Sequence, residues 1–168
     1  MFLKKIIIPI VVAVVIGLVV TIAIIEMKSP KYEIIEVDDT GFSTNQIMIN
    51  DVLIDLQIAD TELTRKYGLM GQENLASNEG MLFIYDKSDI YGFWMHNMKI
   101  GLDIIWFDNL GNIVHVEQNV PPCTTEPEDC KMYYPNSKGL YVLEVNEGFV
   151  EEYDIMNNQK FYWVLDKQ

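Results

Sequence analysis

Residues 6–25 read IIIPIVVAVVIGLVVTIAII, twenty positions without a charge, and nothing else in the chain limits its possible folds as strongly. At about 1.5 Å rise per residue, a helix of that length is roughly 30 Å long, the thickness of a bilayer's hydrocarbon core. The run is apolar on every face, which sets it apart from an amphipathic core helix. Pro9 lies near its start, where a missing N–H costs least. A secretory signal has an apolar region of roughly 7–15 residues and ends in a small-x-small cleavage site. This run is longer and ends IAIIEMKSP, which predicts an uncleaved anchor. Lys4 and Lys5 precede it. By the positive-inside tendency, residues 1–5 are then cytoplasmic and the C-terminal part lies outside, a single pass through the cell membrane. Lys28 and Lys31 follow on the far side, with Glu26 and Glu33 among them.

A chain of 168 residues has room for that anchor and one compact domain. Residues 26–46 are polar and aperiodic and read as a stalk, which leaves 47–168 as the extracytoplasmic domain. The formal charge is −13, and the first 25 residues contribute only Lys4 and Lys5, so the remainder carries −15. Such a domain repels phosphate backbones, which argues against nucleic acid as a partner. Cys123 and Cys130 are the only cysteines. In an oxidising space they are expected to form a disulfide closing a short loop, worth on the order of 2–3 kcal/mol. Two cysteines alone do not make a zinc site.

From residue 47 the pattern becomes period two. Val52, Ile54, Leu56 and Ile58 alternate with Leu53, Asp55, Gln57 and Ala59, a half-buried strand preceded by a hairpin turn at Asn50-Asp51. Asp60 or Thr61 then caps a short helix that Gly68 stops. Strands are predicted over 80–85, 91–95, 103–107, 113–117, 140–146 and 161–165. Asp108 to Asn112 forms a turn without EF-hand ligand spacing, and a second short helix begins near Glu147 and runs to about Tyr153. Many short strands with two short helices predict a β-rich α+β domain, a small barrel or sandwich, preceded by one transmembrane helix.

The segments ADTELTRKYGLM (59–70), GMLFIYD (80–86), FWMHNMKIGLDIIWFD (93–108), NIVHVEQNVPPC (112–123), YYP (133–135) and YVLEVNEGF (141–149) occur in this order. Together they resemble the DUF192 family, also called UPF0127, over about residues 47–159. The resemblance implies a small prokaryotic domain of unknown function whose members are often exported or membrane-attached. His96, Met98 and Gly101 stand where the family commonly has Lys, Thr and Pro, and Asn158-Gln159 replaces a usual Gly-Asp.

Several residues are candidates for chemistry. Arg65, three residues before Gly68, suits a bidentate grip on an anion, or else an ion pair with Asp103 or Glu144. In FWMHNM, alternation sets Trp94, His96 and Met98 on one face. His96 and Met98, with Met70 and Met81, offer soft ligands for Cu(I). Asn97 suits a turn. Glu144 interrupts YVLEV and shares a strand face with Val142, so it is expected to be partly buried, where a carboxyl is pushed toward its acid form. Asp103 and Glu144 would then divide acid and base work in a hydrolase. No G-x-S-x-G, HExxH, CxxC or phosphate loop is present, and no cofactor is implied. The leading expectation is a binding module in which Arg65, Trp94, Asn97 and Glu144 line a cleft for a small polar ligand, a peptide or an envelope protein. A hydrolase or a copper-handling protein is the alternative.

Overall fold

The computed structural model describes residues 45–164, together with the backbone of Ile34–Ile35. The expected anchor at 6–25, the cytoplasmic residues 1–5 and nearly all of the stalk lie outside the described residues. Among the described residues no helix is long and apolar enough to cross a membrane.

Among the described residues ten strands form, in order β1 (Ile34–Ile35), β2 (Gln46–Ile49), β3 (Val52–Ala59), β4 (Glu79–Asp89), β5 (Phe93–Trp94), β6 (Leu102–Phe107), β7 (Ile113–Val120), β8 (Met132–Tyr133), β9 (Gly139–Asn146) and β10 (Tyr162–Val164). Two short helices among the described residues, α1 (Glu62–Tyr67) and α2 (Phe149–Glu152), and a 3₁₀ turn (Pro127–Asp129) join them. One sheet takes the order β1-β10-β2-β3-β4-β9-β6-β7, and β5 with β8 makes a separate ribbon. Every neighbouring pair is antiparallel except β3 and β4, which α1 connects as a crossover.

Local chemistry accounts for the turns. Asn50 (φ 47°) and Asp51 (φ 64°) both occupy the left-handed region, as a tight two-residue hairpin requires and as Asn and Asp tolerate. At the β6–β7 turn, Asp108 Oδ1 accepts from the Leu110 and Asn112 N–H groups at 2.8 and 2.9 Å. The two short helices fall where the sequence predicts them.

The sheet is neither a closed barrel nor a sandwich, which corrects that part of the sequence-based expectation. It curls until the segments entering β7 and β10 touch, but they share a single bridge, Asn112 to Lys160, in place of a ladder. It is not a sandwich because one sheet serves two cores. Along β6 all six residues are buried. Ile105 and Phe107 join a cluster with Leu82, Leu143, Val145, Phe149 and Phe161. Ile104 and Trp106 join another with Phe83, Phe93, Met95 and Val142. A strand covered on both faces reads as a continuous apolar run, and DIIWF is such a run.

Asp103 lies within β6 and is fully buried. Its Oδ2 accepts from the Val150 N–H at 2.8 Å and its Oδ1 from the Asn119 N–H at 2.7 Å. One carboxylate therefore fixes the first turn of α2 and the left-handed residue Asn119 (φ 54°) of β7. Asp103→Ala leaves the buried Val150 N–H and the part-buried Asn119 N–H without their acceptor and is expected to cost about 1–3 kcal/mol, measured by urea unfolding of the full chain. A loss below about 0.5 kcal/mol, the range of neutral surface changes, contradicts this role.

Candidate functional site

Helix α1 is built by local polar contacts alone. The Thr64 N–H donates to Thr61 Oγ1 at 3.1 Å and the Thr61 N–H to Thr64 Oγ1 at 3.0 Å, a reciprocal capping arrangement. None of its six residues is buried. Arg65 ties it to the sheet. Its Nη1 donates to the backbone carbonyls of Asp60 at 2.5 Å and Ile84 at 2.6 Å, and its guanidinium lies over the Tyr85 ring, 5.1 Å from the centroid. Tyr85 stacks on Tyr91 with centroids 3.4 Å apart.

Gly68 then turns the chain (φ +51°) so closely across the sheet that a Cβ there would sit 3.2 Å from Phe83 and 3.9 Å from Glu144 Oε2. Leu69 drops into the second core. From the other side, the Trp106 indole N–H donates to the Tyr91 carbonyl at 2.9 Å and holds the chain leading into β5 against β6. Phe93 meets Phe83 edge-on at 4.8 Å.

Between these two segments lies a cleft of about 190 Å³. Its walls include Phe83, Tyr85, Phe93 and Met98, and Tyr67 and Trp94 stand at its rim. Arg65, Lys66 and Glu144 supply its ionisable groups.

Glu144 is 4% exposed. Its Oε2 is shielded from solvent and has no hydrogen-bond partner among the described residues. No salt bridge joins it to Arg65. Burial alone pushes its carboxyl up to about 8, so at neutral pH it is the uncharged acid and a hydrogen-bond donor. Burial also pushes the Tyr85 hydroxyl up to about 12, partly offset by Arg65.

Of the residues singled out from sequence, Arg65, Trp94 and Glu144 line this cleft, and Met98 joins its wall. Asn97 does not. It is exposed, adopts φ 59° and offers its carbonyl to the Gly71 N–H at 3.1 Å, a turn role. That turn breaks the alternation expected through FWMHNM. Met98 is buried in the core while His96 bridges to Cys123 and rests 5.1 Å from the Trp94 ring. Met70, Met81 and Met98 belong to one apolar cluster, and no group of three His, Cys, Asp or Glu side chains converges among the described residues.

Asp103 is paired in register with Val145, and Glu144 with Ile104. Directly paired residues share a sheet face, so Asp103 faces one core and Glu144 the other. The two carboxyls are not brought together. Arg65 pairs with neither of them. Cys123 and Cys130 form a disulfide, which closes the loop leading from β7 to β8.

Sequence reasoning missed Tyr85, Tyr67 and the covering Gly68. Tyr85 was within reach, because period two places it with Met81 and Phe83, and the register pairs Met81 with Glu144.

A small curled sheet with an acid-floored cleft is the class of domain defined by these features. The chain belongs to the DUF192 family, whose model, described as uncharacterized ACR, matches residues 45–163. No curated protein shows significant similarity. Two crystal structures are similar. One is a protein of unknown function from Novosphingobium aromaticivorans, 24% identical with a TM-score of 0.65, covering 79% of this chain and 94% of its own. The other is from Sinorhizobium meliloti, provisionally described as a transcription regulator, 21% identical with a TM-score of 0.64, covering 74% and 96%. At these identities the likeness concerns the fold alone.

The raised Glu144 carboxyl has a consequence for stability. Between its ordinary value of 4.5 and about 8, the folded domain holds a proton that the unfolded chain has released. Its contribution is therefore complete below 4.5 and lost as pH rises toward 8, with a slope of at most about 1.4 kcal/mol per pH unit. Urea unfolding of the full chain at pH 5, 7 and 9 should show that Glu144→Gln loses less stability with rising pH than the native chain. Parallel pH profiles would contradict an acid-form Glu144.

Proposed function

We propose that this protein is a non-catalytic binding module, anchored in the cell membrane by residues 6–25 with its domain outside the cytoplasm, and that it takes a small polar ligand in the cleft between α1 and β5. The observation that carries the reading is Glu144. A buried carboxyl at the floor of a cleft destabilises the empty domain, because its Oε2 has left water and gained no hydrogen bond. A ligand that supplies the missing partner recovers that free energy. Arg65 supports the reading, since its charge faces the same cleft without a carboxylate within ion-pairing distance among the described residues. The aromatic rim at Tyr67 and Trp94 suits a site that must exclude water around such polar contacts.

Neither alternative has an observation in its favour. The Asp103–Glu144 pairing needed for a two-carboxylate hydrolase is not made, since Asp103 is fully engaged with backbone N–H groups on the other face. The methionines that would accompany His96 at copper are packed as core.

Thermal denaturation of the full chain against a panel of small acids, sugars, amines and nucleosides tests the binding reading. At a concentration of about 100 times Kd, a true ligand raises Tm by roughly 5 °C or more, and Trp94→Ala, a rim substitution, weakens the effect. No stabilising compound, or stabilisation indifferent to Trp94, overturns the reading. The topology is tested separately. External protease should remove a C-terminal tag from the full chain in intact spheroplasts, whereas protection of the tag would place the domain in the cytoplasm.

A further inference from the structure

The polar inventory of the cleft narrows what can satisfy it. Both N–H groups of Arg65 Nη1 are directed at carbonyls, those of Asp60 and Ile84. Nε and Nη2 make no hydrogen bond among the described residues, and no carboxylate lies within 4 Å of the guanidinium. What remains is the planar two-donor edge that matches a carboxylate. Across the cleft, Glu144 Oε2 is buried without a partner. Other titratable groups facing the cleft are Lys66 and Tyr67 from α1 and Tyr85 from β4. None of them is an acid that would repel an anion at neutral pH. The domain is acidic as a whole, yet the mouth of this cleft carries Arg65 and Lys66.

Resting on the binding-module reading, we propose that the ligand is a small organic monocarboxylate. Its carboxylate is held between the open edge of the Arg65 guanidinium and the Glu144 carboxyl, and its apolar body lies against Phe83, Phe93 and Trp94. Arg65, half-buried, supplies the compensating charge within the cleft, Lys66 being exposed to solvent, and Glu144 in its acid form donates a hydrogen bond to the second carboxylate oxygen. An amine meets an uncompensated guanidinium. A neutral ligand leaves that charge in place. Inorganic phosphate has no apolar body to cover Phe83, Phe93 and Trp94. The volume, about 190 Å³, is below the roughly 300–1,000 Å³ of pockets for drug-sized ligands, which sets the size of the body at a single ring or a short chain.

The test is titration calorimetry on the full chain with benzoate and hexanoate as probes, and with methyl benzoate, benzylamine and inorganic phosphate as comparators. Benzoate or hexanoate should bind at pH 7 at least about tenfold more tightly than any comparator, a difference of about 1.4 kcal/mol. Affinity should fall about tenfold between pH 7 and pH 9, as Glu144 loses its proton near pH 8 and turns a carboxylate toward the ligand. Glu144→Gln should bind with no such pH dependence, and Arg65→Lys should bind more weakly than the native chain while keeping its fold by circular dichroism. Equal binding of benzoate and methyl benzoate, preference for phosphate, a flat pH profile in the native chain, or no binding of either acid at about 10 mM overturns the proposal. If a sugar or an amine from the panel binds the cleft instead, the binding-module reading stands and only the carboxylate assignment fails.

Discussion

One sheet buried on both faces is the constraint on which the rest of this domain depends. In an ordinary half-exposed sheet a polar residue has a free choice of the solvent side. Here β4, β6 and β9 send alternate residues into two separate apolar clusters, so a charged residue on their central stretches is buried whichever way it points. Among the described residues, the only ionisable acidic or basic side chains buried in this way are Asp103 and Glu144. They sit on adjacent strands one register step apart, and the pleat sends them to opposite cores.

The same physics gives them different fates. Asp103 meets the start of α2 and a left-handed turn residue on β7, both of which present N–H groups that need an acceptor. Its desolvation is offset by two short hydrogen bonds, and the charge becomes part of the architecture. Glu144 meets Gly68, Phe83 and the hollow beyond them. With no donor in reach, the carboxyl retains its proton as the less costly way to stay buried. A fully paired carboxylate is explained by the fold it supports. An unpaired one is not, and that contrast is why the proposed binding site lies on the Glu144 side of the sheet.

Much of this architecture was legible because it is local. The Asn50-Asp51 hairpin, the Thr61 cap, the Gly68 stop and the Asp108–Asn112 turn depend on neighbours a few residues away. Glu144 was legible from alternation alone, since Val142 fixes which way residue 144 points. What the sequence does not carry is pairing at a distance. Nothing local says that β9 inserts between β4 and β6, or that the curling sheet stops at one bridge between Asn112 and Lys160. Hence the short strands suggested a barrel or sandwich. The FWMHNM segment misled for a related reason. Alternation holds only while the strand lasts, and β5 ends at Trp94. Asn97 turns through a positive φ, so Met98 enters the core while His96 does not follow it.

Arg65 shows how a scaffold residue can also face a proposed binding site. A six-residue helix with no buried side chain has too few hydrogen bonds to persist by itself, and α1 has no apolar stripe to dock. What holds it on the sheet is a cation whose inner edge is committed to the carbonyls of Asp60 and Ile84. Those bonds fix the plane of the guanidinium over Tyr85 and so fix the direction of its outer edge. A long, flexible side chain ordinarily loses rotamer freedom when it takes hold of a ligand. In this domain that ordering has already occurred on folding, because without it α1 would not lie where it does.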